Sequence, residues 1–422
     1  PYSVDGPLAV HLLSRLFHGL QRPRVWAPVL LLGAILALAA PYLWATYAWR
    51  AAERDLAQQR PRDALQHVAP CLRAWPRSPE VHLLAARAAR LTEDYDAAER
   101  HLIEGQRLER AGGGESEASV LEWALLRAEV GDVDKVEGFL LPRAAQSSPQ
   151  APRVLEALAA GHLRMYRFFD AMRCLEQCLK QDPDNLRALY LRGRAWERVH
   201  AYPKAAADYE RVVARDPGHD QARLRLANCR LENGEPTLAV PHLEQLRRRQ
   251  PDNPEVLVRL AFAWNATGRL TESIQLIDVL LVQHPELASA VSARGQLAFL
   301  AERPAEAEPW LRRAIAHNPF DRAAHFALQQ CLEQQGKRDE AAAQKNELRR
   351  VEETINRLNA IGNRLLPKTP RDPALQHELG SILLRMGKEE LGIRWMHSAL
   401  RHAPDHRPAH KSLADYYERT GD

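Results

Sequence analysis

Four histidines gather late in the chain, at His397, His402, His406 and His410, and the last three are four residues apart. On one continuous helix that spacing would stack imidazoles on a single face, where neutral ring nitrogens can share a metal ion. Pro404 and Pro408 fall between them, and proline does not continue a helix, so loop histidines account for the trio better than a ligand set. Cys174 and Cys178 are also four apart and would share a helical face. Cys71, Cys229 and Cys331 stand alone, and no pair has the C-x-x-C spacing of a metal knuckle or redox motif. The cysteines read as buried structural thiols. No Gly-rich phosphate loop, nucleophile elbow or zincin motif occurs. The expectation is a chain without catalytic residues, metal or cofactor, whose chemistry is non-covalent recognition.

The elements that must position any recognition surface are announced by prolines. Pro183, Pro217, Pro251, Pro285 and Pro319 each lie 34 residues after the last. A fixed period of this length means stacked helix pairs, each unable to bury its apolar face alone. Counting back from the prolines gives units 45–78, 79–112, 118–151, 152–185, 186–219, 220–253, 254–287, 288–321, 322–355 and 373–406, with a partial unit 407–422.

Within these units the eighth residue is Ala or Gly in nine of eleven, Leu125 and Gln329 departing. The twentieth is small in all but one unit, which has Glu137, and the twenty-fourth is large and apolar except at Lys345. In this register the chain resembles the tetratricopeptide repeat family, over about nine-tenths of its length. The resemblance implies an all-α fold, a right-handed α-solenoid of stacked helix-turn-helix repeats. It also implies that the first helix of each pair lines a concave surface, with its second, fifth, ninth, twelfth and thirteenth residues facing the groove. Those positions hold two sets. One is Arg153, Arg164, Arg187, Tyr190, Arg194 and Arg198; the other is Leu224, Asn228, Val258, Phe262, Asn265, Gln296, Phe299, Phe326 and Gln330. Arginines can grip carboxylates bidentately, amides can bond an extended backbone, and exposed aromatics can anchor side chains. Glu156 and Glu197 sit among the arginines as their alternative partners. The family's clamp for a C-terminal carboxylate uses Lys and Asn, and the fifth-to-ninth pairs here read Tyr190 with Arg194 and Leu224 with Asn228. Asn265-Ala-Thr267 matches a glycosylation acceptor, but in this register it lies mid-helix in the groove and is fortuitous.

Composition excludes some classes. Net charge is only +4, which gives no argument for a nucleic-acid partner. Of 58 basic residues, 8 are Lys and the rest Arg, a bias read as genome composition. One segment is exceptional: Val25–Trp49 carries no charge, between Arg24 and Arg50, with Trp26 at one edge and Tyr42, Trp44, Tyr47 and Trp49 at the other. As helix it would run about 37 Å at 1.5 Å per residue, enough for a hydrocarbon core of about 30 Å. It reads as a single-pass transmembrane helix with an aromatic belt. A cleavable signal peptide and a buried helix are the competing readings, and Pro41, just after Ala37-Leu38-Ala39, argues against cleavage. Three arginines on one flank against four on the other leave the orientation open.

The expected organisation is a tail (1–24) with a short amphipathic helix, the span (25–49) running into the first pair, two units and a Gly-rich hinge (45–117), seven units (118–355), an extended helix and loop (356–372), and a tenth unit with a capping or truncated helix (373–422). The hinge is Gly112–Gly114. Leu348, Val351, Ile355, Leu358, Ile361 and Leu365 form one apolar stripe. It packs on the next pair or, alternatively, makes a coiled-coil contact with a second copy. The chain stops where a further helix would start, and truncation is the favoured reading there. The function expected is a membrane-anchored scaffold of bacterial type that docks protein or peptide partners. The alternatives are the targeting portion of a larger enzyme and a cell-envelope assembly factor.

Overall fold

The computed structural model describes residues 23–145, 150–366 and 368–421, with side chains at Leu32 and from Ala39 onward except Ala145. Every regular element among them is helical. The helices are α1 (Pro23–Ala57), α2 (Pro61–Ala74), α3 (Pro79–Leu91), α4 (Tyr95–Ala111), α5 (Glu117–Glu129), α6 (Val133–Ala145), α7 (Ala151–Arg164), α8 (Phe168–Gln181), α9 (Leu186–Arg198), α10 (Tyr202–Arg215) and α11 (Asp220–Glu232). They continue as α12 (Pro236–Arg249), α13 (Pro254–Ala266), α14 (Leu270–Gln283), α15 (Ala288–Leu300), α16 (Pro304–His317), α17 (Arg322–Gln334) and α18 (Arg338–Ala360). One π-helical turn (Ile361–Leu365) follows, then α19 (Pro373–Arg385), α20 (Glu389–His402) and α21 (Arg407–Thr420).

Local chemistry sets these boundaries. The residue before a first helix is commonly a cap: Ser78 accepts from the Val81 amide, Asn185 from Ala188, Asp321 from Ala324, and Asn253 and Asp372 each from two amides. Each cap satisfies donors that the first turn leaves open. Between the two helices of a pair, the fifteenth residue turns the chain in the left-handed region. It is Gly234, Gly268, Gly336 and Gly387 in four pairs, and Gln59, Glu93, Tyr166, His200 and Glu302 in others. Glycine takes that conformation without a Cβ penalty.

This turn corrects the register of the third pair. Its left-handed residue is Gly131, and its helices begin at Glu117 and Val133, each one residue earlier than the proline count places them. Ala124, not Leu125, therefore stands at the eighth position, and Val136, not Glu137, at the twentieth. One extra residue before the fourth pair displaced the count.

The described residues form two compact units, one ending at Leu126 and the other beginning at Arg127. In the first, α1 is one 35-residue helix. Its Ala45, Ala48, Ala51 and Ala52 are buried; Ala48 and Ala52 pack with residues of α2 and α3, and the Cys71 thiol of α2 donates to the Ala45 carbonyl at 3.4 Å. Tyr42, Leu43, Trp44 and Tyr47 are instead more than half exposed. Among the described residues no helix is long and apolar enough to cross a membrane. The side chains of residues 33–38, at the apolar centre of the expected span, lie outside the described residues, as does the tail 1–22 with its expected amphipathic helix. Arg90 and Glu122 form a fully buried ion pair at 2.6 Å. The Gly-rich turn is tied by Glu109, which accepts from the hydroxyls of Ser116 and Ser119.

In the second unit, first helices of consecutive pairs pack on one another, α7 with α9, α13 with α15 and α15 with α17, while no such packing of second helices is seen among the described residues. That asymmetry places the first helices on the inner face. Small eighth residues are required where the pair crosses: a Cβ on Gly193 would sit 2.6 Å from the Tyr209 ring, and one on Gly295 2.8 Å from Leu311. Both partners are twenty-fourth residues. A continuous apolar core runs from Ala227 to Ala341, each fully buried leucine contributing roughly 1.5–3 kcal/mol.

The apolar stripe of α18 is used within the chain. Leu348, Val351, Leu358 and Ile361 are buried and Ile355 and Leu365 half-buried. Arg357 clamps Glu378 of α19 with two 2.6 Å bonds. The stripe is thus largely covered within the chain, its far end against the next pair and the turn at Tyr166, which leaves little of it for a coiled-coil seam.

Candidate functional site: the inner groove

The two sets of groove positions differ physically. On α7 and α9 the charges are already engaged. Arg187 lies between two buried carboxylates, its Nη2 donating to Glu129 Oε2 at 2.8 Å and its Nη1 to Glu156 Oε2 at 3.4 Å. Glu156 also accepts from Asn185 at 2.8 Å. The Tyr190 hydroxyl donates to Gln221 and accepts from Arg225 Nε at 3.2 Å. Arg225 in turn reaches Glu197 at 2.7 Å, which also takes the Tyr209 hydroxyl at 3.0 Å. Arg194 lies 5.8 Å from the Tyr190 ring centre and Arg198 5.6 Å from that of Tyr166, within cation–π range. Arg153, Arg164 and Arg194 are half-buried and have partners within the chain; Arg198 is exposed.

From α11 to α17 the inner face is largely uncharged. Leu224, Phe262 and Phe299 are half-buried against the core, and Val258 is buried. Asn228, Asn265, Gln296 and Gln330 are half-buried amides. Gln296 donates to Ser292 at 2.9 Å, whereas the Asn228 Oδ1 is shielded from solvent and has no hydrogen-bond partner. Phe326 stands 51 % exposed. Asn265 falls in the last turn of α13 rather than mid-helix, and the Thr267 hydroxyl bonds the Ala263 and Trp264 carbonyls.

Three participants escaped the sequence reading. Glu129 and Arg225 organise the charged stretch, the latter from a sixth position that the groove template omits. Leu300, a thirteenth residue, is about half exposed; the same template would have found it.

Three of the four late histidines serve bonds close at hand. His402 Nδ1 is 3.1 Å from Gln376 Oε1, His406 caps α21 by accepting from the Ala409 amide, and His410 Nε2 donates to the Pro404 carbonyl at 2.8 Å. Pro404 lies in the turn and Pro408 in the first turn of α21, so no single helix carries the trio. Among the described residues no group of three or more His, Cys, Asp or Glu could hold a metal ion. All five cysteines are buried. Burial pushes the Cys174 thiol up to about 11 and that of Cys178 higher, which keeps both protonated and unreactive.

Stacked helix pairs with a lined inner face define an α-solenoid repeat protein. Family models agree: one described as tetratricopeptide repeat matches residues 230–297, and a second matches 50–105, 154–220, 200–242 and 292–350. The chain belongs to the tetratricopeptide repeat family, whose arrays generally mediate protein–protein interactions. The unmatched stretch between residues 105 and 154 holds the pair whose register is shifted. The chain is 29 % identical over 220 residues to the TPR repeat-containing protein PA4667 of Pseudomonas aeruginosa. That match covers 51 % of this chain and about a third (34 %) of the relative's length. Among solved structures, YrrB, titled a TPR protein with an unusual peptide-binding site, aligns with TM-score 0.37 at 18 % identity, over 44 % of this chain and 96 % of its own. A human IFIT1 dimer with m7Gppp-AAAA aligns with TM-score 0.43 at 15 % identity, over 78 % of this chain and 91 % of that one.

Proposed function

We propose that this chain is a membrane-anchored adaptor that docks an extended segment of a partner protein in its inner groove, without catalysis. The observation that carries the reading is the uncharged stretch of α11–α17, where the exposed Phe326 and a row of half-buried amides line one inner face. Aromatic anchors flanked by backbone-bonding amides suit a peptide laid along the helices. The charged stretch on α7 and α9 orients such a segment through Arg194 and Arg198. Anchoring is supported by the uncharged run 25–49 and by the continuity of α1, whose exposed Tyr42, Trp44 and Tyr47 suit a membrane interface. We infer a bacterial cytoplasmic membrane as its site: the likeness to a Pseudomonas aeruginosa protein supports the bacterial part, and the uncharged run 25–49 the membrane part.

The test is an affinity capture from solubilised membranes with three baits: the unmodified chain, Arg194→Glu/Arg198→Glu with Phe326→Ala, and the outer-face control Val282→Asp. Docking in the groove expects bands shared by the first and third baits and lost from the second. Identical capture by all three would refute it.

A further inference from the structure

Within the second unit the last full pair returns to the third and fourth, joining residues 222 and 264 positions apart. Asp134, in the first turn of α6, accepts from Arg167 Nη1 at 2.8 Å and from Ser398 Oγ at 3.5 Å, and lies 3.5 Å from the Arg401 guanidinium. Lys388, in the α19–α20 turn, donates to the Tyr166 hydroxyl at 3.3 Å. Gly362 of the π-helical turn backs onto the same tyrosine, so closely that an added Cβ would lie 3.3 Å from Tyr166 Cβ. A Cβ on Gly131 would likewise meet Arg394 Nη1 at 3.4 Å.

We propose that this contact is a latch: it closes the array on itself and makes the last pair open together with the third and fourth. In an ordinary repeat array each pair touches only its neighbours, so a terminal pair frays alone. Here the penultimate stretch of the chain has a second attachment far away in sequence. The polar part of the attachment is one carboxylate, the cations Arg167, Lys388 and Arg401, a serine and one tyrosine. Contacts of that kind within a chain open more readily than a core does. The latch also stands at the charged end of the groove, because the Tyr166 ring bonded by Lys388 is the one beside Arg198. Closure therefore fixes the curvature of the stretch bearing Arg164, Arg194 and Arg198. This second consequence rests on the groove reading; the coupling does not.

Hydrogen exchange on the whole chain tests the coupling, comparing the unmodified protein with Lys388→Glu/Arg401→Glu on one side of the latch and Asp134→Lys on the other. The latch expects amides of α19–α20 and of the turn around Tyr166 to exchange about tenfold faster or more in both variants, with α12–α15 unchanged. Faster exchange confined to the substituted side in each variant would overturn it. Should either variant fold poorly, spin labels at Lys135→Cys and His397→Cys, exposed positions next to Asp134 and Ser398, which meet across the contact, read the same question in an otherwise unmodified chain. One narrow short distance supports the latch, and a broad long distribution overturns it. Neither result alters the affinity capture, so failure of the latch and failure of groove docking remain separable.

Discussion

On α7 and α9 the inner face carries guanidiniums that buried carboxylates and tyrosines already hold; on α11 to α17 it carries amides and phenylalanines, with Asn228 Oδ1 left without a partner. The two stretches share one helical template, yet one is organised by internal charge pairs and the other leaves binding capacity unused. An arginine at a groove position is therefore weak evidence of a ligand, because a buried pair holds its geometry firmly while contributing little net stability. An exposed phenylalanine on the same face has no such internal use.

The comparison breaks most visibly at Glu129, which is 1 % exposed. Glu129→Ala leaves Arg187 short of its strongest partner, and loss of one member of a buried pair costs about 3–5 kcal/mol. Chemical denaturation should show it, and a change under about 1 kcal/mol would mean that the charged stretch is not structural.

His162 sharpens the contrast through pH. It is buried on α7 with Nδ1 unbonded, and burial lowers its pKa from 6.5 to about 4. The unfolded chain thus takes a proton near pH 6.5 that the folded chain refuses until about 4. Stability is full above pH 6.5 and falls by about 3 kcal/mol as pH drops to 4. His162→Phe should flatten that part of the profile of Tm against pH.

Asp134 acts lower on the scale. Burial raises its pKa, but Arg167, through charge and a hydrogen bond, and Arg401 outweigh burial and bring it below 3.8. Its contribution is present above pH 3.8 and disappears as pH falls through the depressed native value. Asp134→Asn should remove that acid-side loss and lower stability at neutral pH.

The smallest effect on stability is expected at Phe326. Phe326→Ala should shift denaturation by about 0.5 kcal/mol or less, as for exposed sites in general, while abolishing capture of a groove partner.

How much of this was legible beforehand follows from the range of each interaction. The 34-residue period, the small eighth residues and the proline stops are set by contacts within one pair or between neighbours, and they read directly from spacing. Leu125 and Glu137 looked like departures only because prolines in the turns, rather than the left-handed Gly131, set the count. The stripe on α18 was visible as a period; that it covers the chain's own next pair was one of two readings until Arg357 and Glu378 were seen together. Arg187 and Glu129 meet across 58 residues, and Lys388 and Tyr166 across 222. Nothing local in composition or spacing encodes such meetings, because they depend on superhelical curvature summed over many pairs.

The most direct test of the groove is site-specific photocrosslinking in intact cells, with a benzophenone side chain placed at Phe326 on the inner face or at Val282, which is 82 % exposed on α14. Docking in the uncharged stretch requires a discrete partner adduct from position 326 and none from 282. An adduct from 282 alone would place the partner on the outer face and contradict the account.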